Sequence, residues 1–95
     1  MLHIITCSPF QCDFPAILRL ISPGDDILLL EDGVILGIDG GITCSMFFDS
    51  MTVLYILRED LVARGLLRCI SAHIQIITYD ESVNLIIKNP KQISW

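Results

Sequence analysis

The chain has 95 residues, enough for one small domain spanning 1–95 and too few for two independent cores. Six Lys and Arg stand against eleven Asp and Glu, a net charge of −5, so it lacks the basic surface that holds a phosphate backbone. It is 53% hydrophobic with a mean hydropathy of +0.65, yet no apolar run approaches the roughly 18–20 residues that span a bilayer. The N-terminus shows no basic region followed by a long apolar one, so no secretory signal is read there and a cytoplasmic location is expected.

Leu2–Thr6 is a short apolar strand closed by a Ser8-Pro9 turn. A helix over Asp13–Ser22 follows, with Asp13 as N-cap and Pro15 tolerated in the first turn. Phe14, Ile17, Leu18 and Ile21 fall at i, i+3, i+4 and i+7 and form one stripe towards a sheet. Ser22-Pro23-Gly24-Asp25 is a turn, and Asp26–Leu30 a second, continuously apolar strand. Val34–Ile38 reads equally as a helical turn or a strand, because a short apolar run has no decisive period. Gly37, Gly40 and Gly41 mark a loop without the spacing of a dinucleotide fingerprint, and Ser45–Asp49 reads as a short helix.

Thr52–Leu57 is a third strand, apolar after Thr52, and Arg58–Arg64 a helix that Gly65 closes in the left-handed conformation. His73–Ile77 is a fourth strand. Thr78 and Glu81 match a capping box that opens a helix over Tyr79–Lys88, with Val83, Ile86 and Ile87 facing inward and Pro90 ending it. Alternating strands and helices imply right-handed crossovers. The fold class is therefore α/β: a small, doubly wound parallel sheet of four to five strands, helices on both faces, with flavodoxin-like topology.

In such sheets the chemistry lies just past the carboxyl ends of strands. Past the third strand that position is Leu57, followed by Arg58-Glu59-Asp60, and it holds no nucleophile. Past the first strand stands Cys7, a candidate sulfur acceptor, but its neighbours Ser8 and Pro9 supply no charge to stabilise a thiolate. Cys12 is a weaker candidate, and Cys44 and Cys69 read as loop or packing positions. The four cysteines contain no C-x-x-C, and His3 and His73 complete no finger spacing, so neither a metal nor another cofactor is expected. Glu31-Asp32-Gly33, after the second strand, reads as a turn whose glycine permits an unusual backbone rather than as an acid–base pair. His3 reads as a hydrogen-bonded histidine of the sheet, and Trp95 as a side chain docked either on its own domain or on a partner.

Several segments share an order and spacing with a known family. They are Met1-Leu2-His3 with Ser8-Pro9-Phe10, Leu28–Val34, Glu59-Asp60-Leu61-Val62-Ala63-Arg64-Gly65-Leu66, and Gln92-Ile93-Ser94-Trp95. Over nearly its whole length the chain resembles the sulfur-relay family of DsrE, DsrF, DsrH and Tus proteins, closest to the TusB/DsrH branch. In the sulfur-carrying sister subunits of that family a cysteine stands at the position of Leu57. Some DsrH-type proteins carry another near the position of Ile17. Both positions are aliphatic here.

The resemblance thus implies a structural, non-catalytic subunit, with the active cysteine on a sister. It implies TusC-like and TusD-like partners in a dimer of heterotrimers, and a TusE-like sulfur acceptor downstream. The end product would be 2-thiouridine at the wobble position of certain tRNAs, with no direct tRNA contact by this chain. The alternatives are a DsrH-like role in dissimilatory sulfur oxidation, or a persulfide carrier in its own right through Cys7. The high apolar content fits both a subunit covered by other chains and a sheet buried on both faces.

Overall fold

The computed structural model describes residues 1–41 and 52–95. The helix expected over Ser45–Asp49 and the surroundings of Cys44 lie outside the described residues. Five strands form one parallel sheet: β1 (Leu2–Ile5), β2 (Asp26–Leu29), β3 (Val53–Leu57), β4 (Gln75–Ile77) and β5 (Gln92–Ser94), in the order β4-β3-β2-β1-β5. Helices α1 (Phe14–Leu20), α2 (Arg58–Ala63) and α3 (Tyr79–Lys88) connect them, with a 3₁₀ segment at Glu31–Gly37. The expected parallel sheet with helices on both faces is present, but β1 lies between β2 and β5, whereas the flavodoxin order places it between β2 and β3.

The handedness of parallel crossovers explains which helix covers which face. Connections from β1 to β2, β2 to β3 and β3 to β4 all step the same way across the sheet. The last one, from β4 to β5, returns past β1 and so leaves its helix on the opposite face. The buried clusters match. On one face Ile5, Ile27, Leu29, Leu54 and Ile56 pack with Phe14 and Ile17 of α1, Val34 and Leu36 of the 3₁₀ segment and Leu61 of α2. On the other, Leu2, Leu28 and Ile77 pack with Leu85 of α3, joined by the partly buried Ile4, Tyr55 and Ile86. The central strands are apolar at almost every position because both their sides are covered.

Local signals set most element ends. Asp13 caps α1 through Ala16 N–H at 3.3 Å. Thr78 and Glu81 form the reciprocal capping box of α3. Gly65 has φ +68°; its N–H donates to Val62 O at 3.2 Å and that of Leu66 to Leu61 O at 2.9 Å, the paired bonds of a Schellman end.

One open reading is decided and three expectations change. Of Val34–Ile38, which reads equally as helical turn or strand, Val34–Gly37 belongs to the 3₁₀ segment and Ile38 is extended, in an isolated antiparallel bridge with Ile70. β4 begins at Gln75, because Ser71 to Ile74 close a turn in which Ile74 N–H donates to Ser71 O at 3.2 Å. The inward face of α3 is Ser82, Leu85 and Ile86, while Ile87 is 74% exposed. Apolar residues at 83, 85, 86 and 87 permit more than one helical phase. The sheet selects the phase in which Asn89 also faces it and donates to Asp26 Oδ2 at 3.2 Å. Finally, Gly33 is not the residue with the unusual backbone: Glu31 is, at φ +50°. Gly33 is required for closeness instead, since a Cβ there would stand 2.8 Å from the carbonyl carbon of Ile5.

β5 is a strand that no local pattern announced. It pairs with β1 in the register Leu2–Gln92 to Ile4–Ser94, and Trp95 continues the ladder by donating to Ile4 O at 2.8 Å and accepting from Thr6 N–H at 3.2 Å. Trp95 packs on its own domain's core cluster. Its indole N–H approaches His3 Nδ1 at 3.5 Å, while His3 Nε2 lies 2.9 Å from Asp25 Oδ2. This pairing makes Nδ1 the acceptor and puts the ring proton on Nε2, so the buried His3 is satisfied at both nitrogens. The Asp25 carboxyl is held below its ordinary value by the Ser22 N–H, with His3 and the N-terminal amine adding to the effect.

Candidate functional site

A ligand or reacting group in an open parallel sheet sits beyond the strands' carboxyl ends, where consecutive connections depart to opposite faces. Here α2 leaves β3 for one face and α3 leaves β4 for the other. The switch point therefore lies between the ends of β3 and β4, whose register pairs Leu57 with Ile77. Leu57 occupies that place and is 9% exposed. By strand alternation its side chain lies on the α3 face with Tyr55, opposite Leu54 and Ile56.

Several polar side chains around this point are bonded across the surrounding elements. Asp60, in the first turn of α2, accepts from Glu31 N–H at 2.6 Å and so holds the positive-φ residue that ends β2. Arg64 donates through Nε and Nη2 to Asp32 Oδ1 at 3.2 and 3.0 Å, and its Nη1 lies 3.8 Å from Asp60 Oδ1. Glu59 Oε1 accepts from Tyr79 N–H at 3.4 Å, joining the start of α2 to that of α3. Together these bonds tie the 3₁₀ segment, α2 and α3 around the switch point. The carboxylates favour the helix starts they occupy and brace the backbone, and the strand end between them presents an aliphatic side chain. Such an arrangement positions a surface; it supplies no nucleophile.

Ile17, the second family cysteine position, is 2% exposed in the core beneath α1. The two family positions thus fall in different surroundings, one at a strand end and one inside the apolar layer.

The carboxyl end of β1 is different in kind. Gln11 N–H donates to Ser8 O at 3.0 Å, Ser8 N–H to Gln11 Oε1 at 3.1 Å, and Phe10 N–H to Ser8 Oγ at 3.3 Å. This tight loop turns the chain back so that Cys12 Sγ donates at 3.2 Å to the carbonyl of Ser8, the residue after Cys7. Both sulfurs pack against the core cluster of the α1 face. Burial pushes the Cys12 thiol up to about 12, and Cys7 and the Asp13 carboxylate push the same way. A sulfur acceptor needs its thiolate favoured, so this environment works against that role for Cys12. Sequence reading placed Cys7 and Cys12 separately and missed that the loop folds Cys12 back onto the Ser8 carbonyl; the Ser8-Pro9 turn was the available signal. Cys69 is exposed. Among the described residues no three His, Cys, Asp or Glu side chains converge as metal ligands, and no helix is long and apolar enough to cross a membrane.

A family model described as "DsrH like protein" matches residues 7–92. "Protein TusB" of Erwinia tasmaniensis is 46% identical over 95 residues, and that of Escherichia coli K12 44%, each covering the whole of both chains. Among solved structures, the ychN protein from E. coli superposes with a TM-score of 0.75 at 12% identity, covering 99% of this chain and 97% of that one. Protein Tm0979 from Thermotoga maritima superposes with a TM-score of 0.68 at 21% identity, covering 96% and 97%. These two share the fold. The family match and the full-length relatives establish more: the chain belongs to the DsrH-like family.

Proposed function

We propose that this member of the DsrH-like family is a structural, TusB-like subunit of a cytoplasmic sulfur-transfer complex that serves the 2-thiolation of tRNA wobble uridine. The observation that carries this reading is Leu57: an aliphatic residue stands at the topological switch point of a chain that is full-length similar to proteins named TusB. The chain would lend shape, not sulfur. Its TusC-like and TusD-like sisters would complete a dimer of heterotrimers, with the persulfide on the TusD-like subunit and a TusE-like protein receiving it.

The surface supports a covered subunit. Phe10, Leu20, Val62, Tyr79 and Ile87 are all more than half exposed, an apolar load unusual for a small acidic domain that works alone. The acidic balance supports leaving the tRNA to another chain.

The test is co-expression of the tagged chain with its TusC-like and TusD-like neighbours, followed by light scattering of the eluted material. A single species with the mass of two heterotrimers is expected. In parallel, a strain lacking this gene should lose wobble 2-thiouridine and regain it with a variant carrying serine at Cys7, Cys12, Cys44 and Cys69 together. A monomer that ignores its sisters would overturn the scaffold reading. Failure of the cysteine-free variant to restore thiolation, while it still enters the complex, would transfer the sulfur-carrying role to this chain.

A further inference from the structure

His3 is an ionisable side chain only 1% exposed, and a scaffold that lends shape makes no evident use of it. By alternation along β1 it stands on the face of Ile5, which α1 covers with Phe14, Ile17, Leu18 and Ile21. Its neighbours in the ladder are Ile27 of β2 and Ile93 of β5. None of these residues titrates. Among the described residues two polar side chains reach the ring. Asp25, in the turn before β2, places Oδ2 at 2.9 Å from Nε2, and Trp95, after β5, donates its indole N–H to Nδ1 at 3.5 Å. Asp25 also holds the N-terminal ammonium through Oδ1 at 3.3 Å and accepts from Ser22 N–H at 2.9 Å. One buried ring thus links the turn before β2 to the residue that ends the β5 ladder.

We propose that His3 is a proton-operated latch: its neutral ring holds Trp95 and the end of β5 against β1, and its protonation releases them. The two ring nitrogens respond differently to a second proton. Nε2 already donates to Asp25, and a positive ring strengthens that bond. Nδ1 has a single lone pair, which Trp95 uses; once protonated, it meets the indole N–H donor to donor. Asp25 stays ionised meanwhile, because the Ser22 N–H, with His3 and the N-terminal amine, holds it below the ordinary carboxylate range. The buried cation therefore keeps its counter-charge, and the bond that is lost is the one to β5. What yields is short and lies at the sheet's edge. β5 has three residues, of which Gln92 and Ser94 are exposed, and its end is held by the bonds of the Trp95 backbone to Ile4 and Thr6.

Trp95 is the chain's one tryptophan, so its fluorescence and its indole N–H resonance read the latch directly. The experiment titrates the full chain from about pH 8 to about 5, the range in which histidine changes charge, and follows the ring resonances of His3 by NMR. Amide exchange, corrected for its intrinsic pH dependence, reports the opening of β5. As His3 takes up its proton, the indole resonance should move and the emission should shift to longer wavelength. Protection of the Trp95 amide, which donates to Ile4 O, should fall about tenfold, while amides of β2 and β3 keep theirs. All three changes should share the midpoint of the His3 ring and not that of His73. Trp95→Phe has no indole N–H to lose, so protection at residue 95 should no longer depend on pH. Asp25→Asn removes the counter-charge and should move the midpoint to lower pH. Both variants leave the buried His3 in place, so neither asks the core to accept a new side chain. Trp95 signals that stay constant while the His3 ring titrates would overturn the proposal. So would a His3 ring that remains neutral throughout, a pH-dependent loss of protection that persists in Trp95→Phe, or a midpoint unmoved in Asp25→Asn.

Discussion

The ends of β1 and β3 lie on the same edge of one sheet, yet they are built for opposite purposes. At β3 the fold provides the switch point where a site is expected, and the sequence fills it with Leu57. Three of the charges around it are held in place: Asp60 by the Glu31 amide, Arg64 by Asp32, Glu59 by the Tyr79 amide. At β1 the fold provides no switch point, but the loop carries two half-buried cysteines, Cys7 and Cys12, away from those ion pairs. The lesson is that a position in a fold licenses chemistry without supplying it. What decides is whether the side chain there can react and whether its neighbours are still free to help.

Gly33 is the joint between the two ends, since it lets the 3₁₀ segment press against the backbone of Ile5 and Thr6. Gly33→Ala should cost about 3 kcal/mol, because backbone and not a flexible side chain would have to give way. Urea unfolding of the two proteins measures it. A loss near zero would mean that the ends of β1 and β2 move independently.

The β3 end can be probed more gently. Thr78→Ala removes the cap of α3 and should cost about 1 kcal/mol. Gly65→Ala meets open space but forces alanine to φ +68°, at a cost of about 1 kcal/mol in thermal unfolding. Arg64→Ala removes ion pairs that are partly open to solvent, so a loss of roughly 0.5 kcal/mol is expected, fading in high salt. A larger, salt-insensitive loss would show that the network supports the strand end more than its exposure suggests.

At the β1 end the sharper probe is pH. The folded value of Cys12 is raised above its ordinary 9.0, so the folded chain holds a proton that the unfolded chain releases. Its contribution to stability is therefore present below about 9 and is lost as pH rises from about 9 to about 12. Cys12→Ser keeps a donor for the Ser8 carbonyl but removes the titration. The difference in stability between the two proteins should be flat at neutral pH and should change only in that alkaline window. A constant difference would place the raised thiol elsewhere.

Much of the molecule was legible in the order of its residues. The cap at Asp13, the box at Thr78 and Glu81, the left-handed Gly65 and the continuously apolar strands are local signals, set by the chain within a few residues, and they appear where the sequence placed them. The aliphatic strand end at Leu57 was legible for the same reason. Other features depend on contacts between residues far apart. Residues 83, 85, 86 and 87 offered α3 more than one inward face, and the sheet, with Asn89 reaching Asp26, chose the one that leaves Ile87 outside. β5 has no strand signature of its own and exists because β1 offered an unpaired edge to residues 92–94. Glu31 takes a left-handed backbone, which glycine would take more readily, because Asp60 from a distant helix holds its amide. Composition and short-range spacing determined the class of fold and the absence of a nucleophile at its usual place. Tertiary structure alone decided the strand order, the faces of the helices and the pairing of β5 with β1, because each rests on a distance that spacing along the chain does not specify.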